Sequence, residues 1–218
     1  MMAYGGAGAK CLLIQPVDGH DLAQMETEIA AIREQTQTPF LLAPVEMIRW
    51  NEDLSPWPAP PVFGKEGFGE GAKKTLQEIR EEIIPCAKRE HGLPEDVKII
   101  LGGYSLAGLF ALWCGHETNL FHGIAAASPS VWFPGFPEYA KQHPLQAKTV
   151  YLSLGDTEER TRNPVMRQVG GGIRALYEQY KETPDVTSVL EWNEGNHFRD
   201  TGLRTARAFA WTVNALKA

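Results

Sequence analysis

Cysteine is scarce in this chain. Only 3 occur in 218 residues, Cys11, Cys86 and Cys114, and their spacing suggests no pairing. That excludes a disulfide framework and fits a reducing compartment, so a cytoplasmic location is expected. Basic charge is also lacking: 21 Lys and Arg face 27 Asp and Glu, for a formal net charge of -6. A nucleic-acid or anionic-membrane partner would favour a basic surface, so neither is expected. Long apolar runs are missing too. The first, Cys11 to Ile14, is too short for a signal-peptide core or a membrane span. No His-x-His or His-Glu-x-x-His spacing offers a metal site, and neither a metal nor another cofactor is expected. No internal repeat or low-complexity block is present, and the length suits one domain spanning 1–218. Oligomeric state is not readable from these features.

What the chain does contain is a strand-like run, Val97-Lys98-Ile99-Ile100-Leu101, that stops at Gly102-Gly103. Tyr104 and Ser105 follow, then Leu106-Ala107-Gly108, then apolar residues at helical spacing (Leu109, Leu112, Trp113). This reads as strand, sharp turn and helix with Ser105 at the apex. Such a turn needs small flanking residues, because strand and helix pass closely and the apex adopts strained dihedrals. Gly103 and Ala107 stand at those flanks, alanine replacing the second glycine of the usual G-x-S-x-G pattern.

Around this stretch, strands alternate with helices. Strands are expected at Lys10–Val17, Phe40–Ile48, Val97–Leu101, Phe121–Ser128, Lys148–Leu154 and Thr187–Trp192, six in all. The first ends in a turn, Pro16-Val17-Asp18-Gly19, after which Asp21 is expected to cap a helix with Leu22, Met25, Ile29 and Ile32 on its inner face. A second helix carries Ala72, Leu76, Ile79 and Ile83 and should bend or end near Pro85. Pro164 suits the first turn of a third, and Leu203, Ala206, Ala210 and Val213 mark the last. The segment 50–71 is crowded with proline and glycine, and is expected to form a surface excursion near the active site. Alternation of this kind implies right-handed crossovers and a mostly parallel sheet covered on both faces. Ligands then bind beyond the carboxyl ends of the strands, where Ser105, an acidic cluster and His197 all fall.

A serine hydroxyl must lose its proton as it attacks. A histidine within hydrogen-bond reach accepts that proton, and a carboxylate on the other ring nitrogen sets the tautomer. Ser105, an acid after Lys148–Leu154, and His197 after the last strand follow the chain order serine, acid, histidine. Asp156, Glu158 and Glu159 all lie in the acidic cluster; Glu158 is favoured as the acid and Asp156 is the alternative. Two backbone N–H groups should form an oxyanion hole, one from Leu106 and one, at Val17, from the loop after the first strand. Trp132, Trp50 and Trp57 lie past strand ends or in the excursion and could wall a substrate pocket or serve only as packing.

Together, Gly103-Tyr104-Ser105-Leu106-Ala107-Gly108, Ser128-Pro129-Ser130-Val131-Trp132 and Gly195-Asn196-His197 resemble the compact α/β-hydrolase esterases that include esterase D-like and enterochelin esterase-like proteins. The resemblance implies a compact α/β-hydrolase fold without a large cap domain, with the early antiparallel strands missing because the chain begins near the third family strand. It implies serine hydrolysis of a small-molecule ester, and an acid third after a glycine, which is Glu158 counted from Gly155. That acid is often aspartate in the family, which keeps Asp156 open. Acyl transfer to an alcohol, or ligand binding without catalysis, are the alternative functions.

Overall fold

The computed structural model describes residues 2–6, 8–62 and 64–216. In chain order the elements are β1 (Tyr4–Gly5), β2 (Cys11–Val17), α1 (Gly19–Gln35), β3 (Phe40–Glu46), α2 (Trp50–Asp53), α3 (Ala72–Glu78), α4 (Ile84–His91), β4 (Lys98–Tyr104) and α5 (Leu106–Glu117), followed by β5 (Gly123–Ala127), α6 (Phe136–Gln142), β6 (Thr149–Gly155), α7 (Val169–Glu182), β7 (Thr187–Asn193) and α8 (Thr201–Ala215). The strands form one sheet in the order β1-β3-β2-β4-β5-β6-β7. Every pairing is parallel except β1 with β3. All the parallel strands therefore end at the same edge, which is where the site lies.

Successive residues of a strand point to opposite faces, and β2 shows the consequence. Leu12 and Ile14 join the core shared with Leu101, Leu109, Phe110 and Tyr180. Leu13 and Val17 join the core of Met25, Ile29, Phe209 and Val213. Helices α1 and α8 cover the second face. Helix α5 is buried from Leu106 through His116, so it has no solvent face and runs through the interior.

Several expectations need correction. Among the described residues the sheet has seven strands rather than six, because Tyr4–Gly5 pairs antiparallel with Leu42 and Leu41. A two-residue strand carries no periodic pattern, and only its pairing creates it. The cap of α1 is Asp18, not Asp21: the Asp18 side chain accepts from the N–H groups of His20 and Asp21, and Asp21 closes a capping box on the Asp18 N–H. Gly19 is therefore helical, and β2 runs through Pro16 to Val17 as expected of the strand, so Asp18 alone separates it from α1 and no turn spans 16–19. Helical structure continues past Pro85 to His91, because a π-helical turn at Ile79–Ile83 widens the ladder just where proline has no N–H to give. Pro164 precedes a short 3-10 turn, Met166–Gln168, and α7 begins only at Val169. Leu203 is 47% exposed, and its neighbour Arg204, 3% exposed, faces inward instead. The excursion contains the single turn α2 and a bridge between Ala59 and Phe68; Phe63 lies outside the described residues. No helix among the described residues is long and apolar enough to cross a membrane.

Candidate active site

The chain turns sharply between β4 and α5, and Ser105 sits at that turn with φ 56° and ψ -116°. A non-glycine residue held there stores about 1–3 kcal/mol of strain, which the surroundings must hold in place. They do so through backbone bonds. The Ser105 N–H donates to the Ala127 carbonyl (3.1 Å), and its own carbonyl accepts from the N–H groups of Leu109 and Ser130 (3.0 Å each). A Cβ on Gly103 would stand 2.7 Å from the Ala107 Cβ, so alanine at one flank is tolerated only because the other is glycine.

Two further strand ends deliver its partners. Ser105 Oγ lies 3.0 Å from His197 Nε2, and His197 Nδ1 lies 2.7 Å from Glu158 Oε2. Glu158 is 9% exposed, in a 3-10 turn directly after β6. Its other oxygen accepts from the Gly155 N–H (2.7 Å), Ser128 Oγ (2.8 Å) and Arg204 Nη1 (3.3 Å). A buried carboxylate is tolerated only when its lone pairs are met in this way. Arg204 also donates to the Tyr104 hydroxyl (3.1 Å) and the Glu194 carbonyl (2.9 Å), and Tyr104 donates onward to the His197 carbonyl (2.8 Å). Burial, reinforced by the Glu158 charge, pushes the Tyr104 hydroxyl up to about 12, so it remains a donor at neutral pH. Because a carboxylate can only accept, His197 Nδ1 carries the proton and Nε2 is left to accept from Ser105. Ser105 has one proton, directed at Nε2. The 3.2 Å contact between Ser130 Oγ and Ser105 Oγ is therefore donated by Ser130, whose hydroxyl has no other side-chain partner among the described residues.

Asp156 is placed differently. Its Oδ1 accepts from the Gly195 N–H (2.9 Å) and fixes the turn before His197 without touching the ring. Leu106 and Ser130 line a cavity of about 400 Å³ over Ser105, together with Trp50, Phe68, Trp132 and Phe198. Val17 is fully buried, gives its carbonyl to the Met47 N–H, and is not in that wall. Trp57 is not there either. It packs on Phe133 and Tyr139 and donates its indole N–H to the Pro134 carbonyl (2.7 Å). Sequence reasoning missed the roles of Tyr104, Ser128, Ser130 and Arg204 in this network. Ser128 and Ser130 had a signal, being polar residues just past a strand end. A lone arginine in a helix has none. Among the described residues, no group of three or more His, Cys, Asp or Glu side chains is placed to hold a metal ion.

The same architecture recurs among solved structures. Siderophore hydrolase EstA from Aspergillus nidulans matches with a TM-score of 0.74 at 19% identity, over 100% of this chain and 95% of that one. The fold is that of the α/β-hydrolases. An IroE-like serine hydrolase from Shewanella oneidensis matches this chain with a TM-score of 0.77 at 14% identity, over 96% of this chain and 73% of that one. The enterobactin esterase FES from Shigella flexneri, in the presence of enterobactin, gives 0.65 at 16% identity, and there the match covers 97% of this chain but 54% of the other. No family model matches the chain. No curated protein matches it by sequence.

Proposed function

We propose that the protein is a serine hydrolase that cleaves a small carboxylic ester through an acyl-enzyme intermediate. The single observation that carries this reading is the unbroken line from Ser105 Oγ through the His197 ring to Glu158, at 3.0 and 2.7 Å. Esterases and siderophore hydrolases among the structural neighbours support it.

In this reading Ser105 Oγ bonds to the ester carbonyl carbon while its proton passes to His197 Nε2. The imidazolium so formed is stabilised by Glu158, whose own position is held by Arg204, Ser128 and the Gly155 N–H. The carbonyl oxygen, now negative, is met by the Leu106 N–H at the start of α5, with the Ser130 hydroxyl as a neighbouring donor. Collapse breaks the carbon–alcohol bond, and the leaving oxygen takes the proton from Nε2. Water then repeats the sequence on the acyl-enzyme, releasing the acid and restoring Ser105. The aromatic wall of Trp50, Phe68, Trp132 and Phe198 favours an apolar acyl group.

Labelling with a fluorophosphonate tests the reading directly. The expected result is a phosphonylated peptide containing Ser105 in the wild type and none in Ser105→Ala. An unlabelled wild type, or a label elsewhere that survives Ser105→Ala, would overturn it.

A further inference from the structure

A second cavity, of about 270 Å³, also borders His197 and includes Glu158 in its wall. It shares Trp132, Thr161, Met166, His197 and Phe198 with the cavity over Ser105, so the two adjoin along those residues. Their remaining walls differ in chemistry. Beside Ser105 and Ser130, the first side adds Trp50, Asn51, Phe68 and Leu106, whereas the far side adds Thr157, Arg160 and Asn196 beside Ser128, Val169 and the buried Glu158.

Arg160 is exposed, and among the described residues its guanidinium makes no hydrogen bond or ion pair. The nearest acid in sequence is committed elsewhere. Glu159 is held by both terminal nitrogens of Arg174, at 2.9 and 3.0 Å. From Arg160 through Gln168 the chain carries three arginines and no carboxylate, in a protein whose net charge is -6. Of these, Arg160 alone lines the cavity, and the carboxylate in the same wall, Glu158, is already met by His197 and Arg204, so the free positive charge there attracts anions. An arginine fork with five donors and no hydrogen-bonded partner among the described residues suits a carboxylate.

Resting on the hydrolase reading, we infer that this far cavity binds the alcohol half of the substrate and that Arg160 takes a carboxylate on it. The substrate class is an ester joining an apolar, typically aromatic, acyl group to a hydroxy acid. The assignment follows from the walls. The leaving oxygen takes its proton from His197 Nε2 over Ser105, and the rest of the alcohol extends along the shared Trp132, Thr161, Met166 and Phe198 walls to Arg160. The acyl group stays on Ser105 against Trp50 and Phe68. Cleavage then yields the free acid and the hydroxy acid, with water supplying the oxygen and hydrogen.

The test uses two esters with the same acyl group and one scissile ester bond each, phenylacetyl-lactate and its neutral counterpart phenylacetyl-lactamide. Phenylacetate release gives kcat/KM for both. The wild type is expected to prefer the lactate by about 10-fold, a factor matching a charge-assisted hydrogen bond at a partly exposed site. Arg160→Gln should bring the ratio to near one, Arg160→Glu should invert it, and Arg160→Lys should keep part of it. Added salt should lower the wild-type ratio. A wild-type ratio near one, or a preference that persists in Arg160→Gln, overturns the inference and leaves the hydrolase reading standing. So does failure to cleave either ester while fluorophosphonate still labels Ser105. Absence of that label removes the hydrolase reading itself, and this inference with it.

Discussion

Replacing Glu158 by glutamine changes one atom and should cost almost all activity. The position now held by Oε1 receives three donors, from Ser128, Gly155 and Arg204, at 2.8, 2.7 and 3.3 Å. A carboxamide must put its oxygen there, since its NH2 group would face donors. The NH2 group then falls at the Oε2 position, 2.7 Å from His197 Nδ1 in the wild type. Nδ1 must become the acceptor, the ring proton moves to Nε2, and Nε2 can no longer take the proton of Ser105. A wrong tautomer of this kind costs about 10⁴ in kcat in a serine triad, roughly 5 kcal/mol of barrier. Stability should fall as well, because Arg204 loses its anionic partner while buried. Breaking a buried pair costs about 3–5 kcal/mol, and the retained carbonyl acceptor argues for the lower end, which is a Tm drop of roughly 6–12 °C. The assay is kcat/KM on p-nitrophenyl acetate at a temperature where thermal scans show both proteins folded, with Asp156→Asn beside it. Asparagine can still accept from the Gly195 N–H at that exposed position, so its effect should stay within about 2-fold. A folded Glu158→Gln enzyme within 10-fold of wild type would refute the reasoning, and so would an equal loss in Asp156→Asn.

Three more outcomes are expected. Ser105→Ala should abolish turnover on short p-nitrophenyl esters while the protein still folds, since the backbone bonds that hold the turn do not involve Oγ; near-normal turnover would remove Ser105 as nucleophile. Ser130→Ala should lower kcat by about 10²-fold, as for loss of one donor to a developing charge, with KM little changed; an unaltered kcat would mean the Ser130 hydroxyl is idle. Burial pushes the Glu28 carboxyl up to about 8, against 4.5 in the unfolded chain, with Gln15 Nε2 at 3.4 Å its hydrogen-bond donor. Between those values the unfolded chain releases a proton that the folded one keeps, so stability falls as pH rises from about 4.5 to 8 and levels off above. Thermal scans should show the wild type losing a few kcal/mol over that window relative to Glu28→Gln, and parallel curves would contradict it.

What the sequence by itself determined was whatever depends on near neighbours. Apolar runs and helical spacing located the six longer strands and the main helices, and small residues around Ser105 marked the sharp turn. Parallel topology then placed Ser105, the acidic cluster and His197 at one sheet edge, because every βα connection reverses direction at the same side. Tertiary structure decided the matters that turn on side-chain direction. Asp156 and Glu158 stand two residues apart after the same strand, yet one, ahead of the 3-10 turn, reaches a backbone N–H and the other, its first residue, reaches the imidazole. Trp50 and Trp57 share one proline-rich segment, yet only Trp50 borders the cavity over Ser105. Strand β1 exists only through its pairing with β3. Arg204 carries no local pattern that marks it as buried. It lies inside because Glu158, 46 residues earlier in the chain, brings a carboxylate to it, and a charge enters a protein interior only where a distant partner is already waiting.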